Sequence, residues 1–194
     1  MTTRVLIFYK HYDIILYVCI VSRKEGGILR IIGVDPGYAI VGFGILDYDR
    51  NRFKIVDFGA ITTDANTPFD LRIKTIYDDM CELLDTYKPD EMAIEKLFFN
   101  TNQKTVIDVA QARGVTLLSA IQRGISVSEY TPLQVKQAVV GYGRAEKKQV
   151  QELTRSILGL SQVPKPDDTA DALAIAIAHG HSSFNTLKNL ERFL

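Results

Sequence analysis

Ile31-Ile32-Gly33-Val34-Asp35-Pro36-Gly37 is the stretch on which the fold turns, and Tyr38 to Leu46 completes it. Its β-branched apolar run predicts a buried strand ending on a carboxylate at a Pro-Gly turn, from which a second apolar strand returns. Burying an unpaired carboxylate costs several kcal/mol, roughly, so Asp35 needs a cation, a proton or hydrogen-bond donors beside it. The remainder of the chain has to supply that partner.

Outward from this strand the pattern is regular. Leu29 to Val34, Gly42 to Tyr48 and Phe53 to Ala60 read as three strands joined by tight polar turns, an antiparallel meander. Thr67-Pro68 reads as an N-cap followed by the residue favoured at the first helical position. Phe69, Ile73, Ile76, Met80, Leu83, Leu84 and Tyr87 follow at helical spacing until Lys88-Pro89. Met92-Ala93-Ile94-Glu95 predicts a fourth strand, again closing on a carboxylate. Asn100-Thr101-Asn102 breaks the chain before a helix over about Gln103 to Gln122, and Ile125 to Tyr130 reads as a fifth strand. Thr131-Pro132 opens a short helix to Val140, Arg144 to Leu158 reads as a helix, and a last core helix runs from Asp167 to about Ala178. The order βββαβαβααα implies an α/β domain, a mixed five-stranded sheet with helices on both faces.

The whole chain narrows the possibilities. Its 194 residues suit one domain over 29–181, between an extension at 1–28 and a tail at 182–194. Lys and Arg number 23, as do Asp and Glu, so any anionic ligand has to be met by local patches. Cys19 and Cys81 form no paired motif and suit reduced thiols in a cytoplasmic protein. Without an apolar run of about twenty residues, a membrane-spanning helix is not expected. Residues 1–28 fit poorly with the rest of the chain. Their apolar runs are broken by Lys10, His11 and Asp13, and they lack the ordered basic, apolar and small-residue regions of a secretory signal.

The last helix carries the sharpest clue. Thr169 to Ala178 is apolar nearly all round, so it must be covered on most sides, yet Asp171 lies within it. Asp168 and Asp171 share a helix face near the positive end of the dipole. Capping accounts for Asp167 or Asp168 and leaves Asp171 unexplained. Asp35 and Glu95 each end an apolar strand of the sheet on which this helix must pack. Four carboxylates gathered there repel one another by roughly 4 kcal/mol per pair at about 4 Å and an effective dielectric of about 20. Oxygen ligands without a His or Cys cluster select hard divalent ions, Mg²⁺ or Mn²⁺, and two such ions suit in-line phosphoryl transfer. His179 and His181 read as structural residues at the helix end.

Ile32 to Gly37, Ala93-Ile94-Glu95, Gln111-Ala112-Arg113-Gly114-Val115, Val135 to Gly141, Ala145 to Val150 and Asp168 to Ala176, in that order, resemble the RuvC family of bacterial Holliday-junction resolvases. The resemblance covers Leu29 to about His181. It implies a ribonuclease H-like fold and a homodimer that nicks two symmetric strands of four-way junction DNA with Mg²⁺, two ions per site. Asp35, Glu95, Asp168 and Asp171 are the implied catalytic and metal-binding acids. Lys136 and Lys147 are the implied DNA contacts, with Lys148 and Arg144 as neighbours. The resemblance places Phe98 where an aromatic ring stacks on a base, core packing being the alternative, and leaves Phe99 to the core. It suggests a two-fold interface on the helix bearing Gln111, Ala112 and Gly114, and RuvA and RuvB as partners. Residues 1–28 have no counterpart in it. They read either as an added strand or helix at the domain edge or as an extension outside the fold, and the second is favoured because Lys24 to Gly27 are codable by a purine run like a ribosome-binding site, with Leu29 as a start.

Three other readings compete. An RNA-processing metal nuclease of the same fold is disfavoured by the lysine-bearing segments. An actin-like or sugar-kinase ATPase reading, with Asp35-Pro36-Gly37, Gly42 and Gly44 as the phosphate loop, needs a second domain and a second phosphate loop that this length does not hold. A non-catalytic DNA-binding dimer would not require all four acids.

Overall fold

The computed structural model describes residues 27–97 and 106–191. The expectations for Cys19 and residues 1–26, for Phe98 and Phe99, and for the break at Asn100-Thr101-Asn102 lie outside the described residues. Strands β1 (Leu29–Asp35), β2 (Ile40–Asp49), β3 (Arg52–Thr62), β4 (Glu91–Glu95) and β5 (Ser126–Tyr130) form one sheet in the order β3-β2-β1-β4-β5. The first three pair antiparallel as a meander, while β4 runs parallel to both β1 and β5. Helices α1 (Phe69–Tyr87) and α2 (Val106–Ile121) cover one face. Helices α3 (Pro132–Val140), α4 (Lys147–Ile157) and α5 (Asp167–Glu191) cover the other.

The central strands read as continuous apolar runs because both faces are covered. Along β1, Ile32 and Val34 enter the α1–α2 core, whereas Leu29 and Ile31 enter the core under α5. On β4, Met92 and Ile94 face α1 and α2, and Ala93 faces α5. This period of two continues to Asp35 and Glu95 and puts both acids on the α5 side.

Glycine lets α5 lie directly on the sheet. A Cβ at Gly33 would stand 2.2 Å from the Ala172 carbonyl oxygen, and one at Gly42 would stand 2.1 Å from that of Asp168. At Gly44 it would strike the Leu173 side chain. The alanines of α5 complete the close approach, and Ala170 together with Ala172 through Ala178 is buried.

Three helix boundaries differ from expectation. Pro68, in extended geometry, takes the N-cap position of α1 rather than Thr67, and its carbonyl accepts the Arg72 N–H at 3.1 Å. Helix α4 starts at Lys147 rather than near Arg144, because Gln149 Oε1 accepts the Glu146 N–H at 2.9 Å and sets the cap there. Helix α5 passes Ala178 and runs through Glu191, so most of the expected tail is helical. Gly180 does not stop it, because it is a packing residue: a Cβ there would lie 2.5 Å from the Phe53 ring.

His179 is therefore inside the helix and not at its end. It is buried, with Nε2 2.5 Å from Glu91 Oε2 and Nδ1 2.8 Å from the Tyr130 hydroxyl, and so ties α5 to β4 and β5. His181 Nδ1 meets the Ala138 carbonyl at 3.1 Å. Both histidines are structural, though not for the dipole.

Gly33→Ala tests the close approach far enough from the acids to isolate packing. The added methyl meets backbone, which cannot swing aside, so the variant should lose about 1–3 kcal/mol in denaturant unfolding. An unchanged midpoint would mean that α5 does not rest on β1.

Candidate active site

The site forms where β1 and β4 end side by side. Their parallel register pairs Val34 with Ile94, which sets Asp35 next to Glu95 at the same edge of the sheet. Asp35 pairs across β2 with Gly42, the glycine that admits the Asp168 backbone. The first turns of α5 thus bring Asp168 and Asp171 over the two strand ends. Thr169 anchors this arrangement, its hydroxyl donating to the Gly59 carbonyl at 3.0 Å.

The electrostatics show that the four acids form one group. Burial, then the charges of Glu95, Asp171 and Asp168, push Asp35 up to about 8. Asp35 holds a proton near neutral pH and shares it by hydrogen bond with Glu95. Burial also raises Glu95, with Asp171 adding to the shift. Asp171 is raised by burial against the opposing pull of Lys147. Asp167, expected as a possible N-cap, lies in the first turn, and Lys165 at 2.5 Å holds it below the usual carboxylate range.

Among the proposed DNA contacts, Lys147 reaches the acids. Its Nζ is 2.7 Å from Asp171 Oδ2 and 3.9 Å from Asp167 Oδ2. Burial opposes its charge, but the Asp171 bond and the surrounding carboxylates outweigh that and raise its pKa. Arg144 and Lys148 are exposed on the α3–α4 side, and Lys136 is half-buried on α3.

Arg113 is a residue to which the sequence reading gave no role. Its Nε donates to the Glu95 carbonyl at 3.3 Å and its guanidinium pairs with Glu129, so it holds the end of β4 against β5. Its place within Gln111 to Val115 was the available signal, but a helix number does not reveal a neighbour on a strand.

Carboxylate oxygens that resist ionisation together are a donor set suited to a hard divalent cation. They are not drawn into a cage here: among the described residues, no three His, Cys, Asp or Glu side chains converge on a common ligand point. A shared proton and the Lys147 ammonium offset the repulsion instead.

Acids on adjacent parallel strand ends, faced by a helix that adds two more, define the class: a ribonuclease H-like fold with four carboxylates gathered at one end of its sheet. The family model described as crossover junction endodeoxyribonuclease RuvC matches residues 31–179. The RuvC of Brevibacillus brevis is 58% identical over 151 residues, covering 78% of this chain and 91% of that protein. That of Fusobacterium nucleatum is 52% identical over 171 residues, covering 86% and 90%. The structure of Thermus thermophilus RuvC superposes with a TM-score of 0.76 at 32% identity, covering 81% of this chain and 97% of that one. The chain belongs to the RuvC family of crossover junction endodeoxyribonucleases.

The shared proton makes stability depend on pH in metal-free solution. Asp35 has a folded value near 8 against about 3.9 for a free aspartate. The stability contributed by its proton is therefore full below about 3.9 and lost as pH rises through about 8. Asp35→Asn keeps a neutral side chain and should gain on the wild type across that range, by on the order of a few kcal/mol at the alkaline end. Thermal melts in EDTA from pH 5 to pH 9 measure this, and a pH-independent offset would contradict it.

Proposed function

We propose that this protein resolves four-way DNA junctions by paired, Mg²⁺-dependent nicking of two symmetric strands, in recombination and repair. The observation that carries the reading is the coupling of Asp35 to Glu95, Asp168 and Asp171 at one edge of the sheet. A Thermus thermophilus relative, 33% identical over 80% of this chain, was solved in complex with Holliday junction substrate, which supports the same substrate here.

Asp35, Glu95, Asp168 and Asp171 would hold two Mg²⁺ ions, or Mn²⁺. When bound, such ions supply an activated water and charge stabilisation at the leaving oxygen. The chain's own part is to fix the carboxylates on rigid strand ends, with Arg113 bracing Glu95. Lys136, Arg144 and Lys148 provide positive charge for phosphates beside the site. Phe98 remains the candidate for base stacking. No helix among the described residues is long and apolar enough to cross a membrane. Together with the free thiol of Cys81, this is compatible with a cytoplasmic enzyme, for which the family implies RuvA and RuvB as partners.

The outer face of α2 supports a homodimer. Ile107, Leu118 and Ile121 are 70%, 48% and 62% exposed, and Gly114 lies between them with nothing within 4 Å of an added Cβ. Packing on its own sheet therefore does not explain this glycine. An apolar stripe with a gap at its centre suits close approach of a second copy about a two-fold axis, one site for each strand to be cut.

Cleavage of a synthetic four-way junction and of a linear duplex, each with and without Mg²⁺, tests the activity. The junction alone should be cut, and only with metal. Asp35→Asn should cut about a thousandfold more slowly while still binding it. Equal cutting of both substrates would refute the reading. Leu118→Glu places a charge on the apolar stripe and should turn the dimer into a monomer by light scattering, and an unchanged mass would remove α2 from the interface.

A further inference from the structure

Lys147 sits where a cation is required and where its helix disfavours one. As the first residue of α4 it lies at the positive end of the dipole, which repels an ammonium. The acids hold it there. Its Nζ bonds Asp171 at 2.7 Å, approaches Asp167 at 3.9 Å, and acts electrostatically on Glu95 and Asp35.

Its backbone is fixed while more than half of its side chain faces solvent. Ala145 and Val150 on either side are buried, and the Gln149–Glu146 hydrogen bond sets the start of the helix. The Lys147 side chain is 56% exposed, so a flexible stem carries the ammonium between the acids and solvent. Exposed Arg144 and Lys148 stand in the same segment, so phosphate drawn to them arrives beside Lys147.

We propose that Lys147 is an internal counter-cation that competes with the divalent metal for Asp171 and releases it when a DNA phosphate draws the ammonium away. The inference rests on the proposed four-acid metal site. Metal binding to the free protein is weakened by the lysine, and DNA relieves the competition. By linkage, DNA and metal then raise each other's affinity by the same factor. Lys147 in this role is a positioning residue, acting through Asp171.

Mn²⁺ titration of the full chain by electron paramagnetic resonance, without DNA, tests the competition. Lys147→Gln should bind Mn²⁺ about fivefold more tightly than wild type, the scale of a partly exposed ion pair. Lys147→Arg, which keeps the charge, should stay near wild type. With a four-way junction carrying cleavage-resistant phosphorothioate links at its centre, wild-type affinity should rise and the gap to Lys147→Gln should close. Asp171→Asn separates the two levels. If it weakens Mn²⁺ binding while Lys147→Gln matches wild type, the acid site stands and the competition is refuted. If neither wild type nor Lys147→Gln shows saturable Mn²⁺ binding, the four-acid reading falls and the inference with it.

Discussion

The backbone-to-backbone approach of α5 to β1 and β2 is the contact on which this structure depends. A helix normally stands off a sheet by the thickness of two layers of side chains. Here Gly33, Gly42 and Gly44 remove one layer and the alanines of α5 thin the other. The approach buries a helix that is apolar nearly all round. It also lowers the opening of that helix onto the strand ends, so Asp168 and Asp171 arrive beside Asp35 and Glu95. Stability and site geometry therefore share a cause, and loosening one loosens the other.

That geometry is unfavourable in itself. Burial raises Asp35, Glu95 and Asp171, and each acid makes the next harder to ionise. The fold tolerates this through two devices, the proton between Asp35 and Glu95 and the ammonium of Lys147 on Asp171. Under the proposed metal binding, both give way to a stronger cation. A site fully satisfied by hydrogen bonds or fixed ion pairs would gain stability and lose the capacity to take one up.

Much of this was legible in the sequence, for physical reasons. Asp35 and Glu95 were each legible as the end of an apolar strand, while their common face depends on the pairing of β1 with β4, because the period of a strand fixes sides only once its neighbour is in register. The apolar shell around Asp171 marked it as more than a cap. Boundaries were less legible, since they depend on contacts distant in sequence. The last helix reads as ending near Ala178 until Gly180 is found packed on Phe53, and His179 reads as a helix end until Glu91 and Tyr130 close on it. Gly42 and Gly44 admitted a phosphate-loop reading, and only the placement of α5 shows them, with Gly33, to be a docking surface. The pairing of Lys147 with Asp171 was likewise hidden, because an exposed lysine at a helix start has no local signature of its partner.

Helix α2 joins the site to the proposed two-fold face over the distance of one residue. Arg113 points inward to brace the Glu95 carbonyl and Glu129, whereas Gly114 points outward into the gap of the apolar stripe. In the proposed dimer, a rigid helix that touches the end of β4 on one side and a second copy on the other would fix the separation of the two sites as firmly as the hydrogen bonds that define it. Two cuts placed symmetrically across a junction require a constant separation. A flexible linker between independent nucleases could bring two sites to the DNA, but it could not hold them in register. Paired nicking by the proposed dimer would thus account for a feature that stability alone opposes, a glycine in the middle of an exposed helical face where alanine would favour the helix by about 1 kcal/mol.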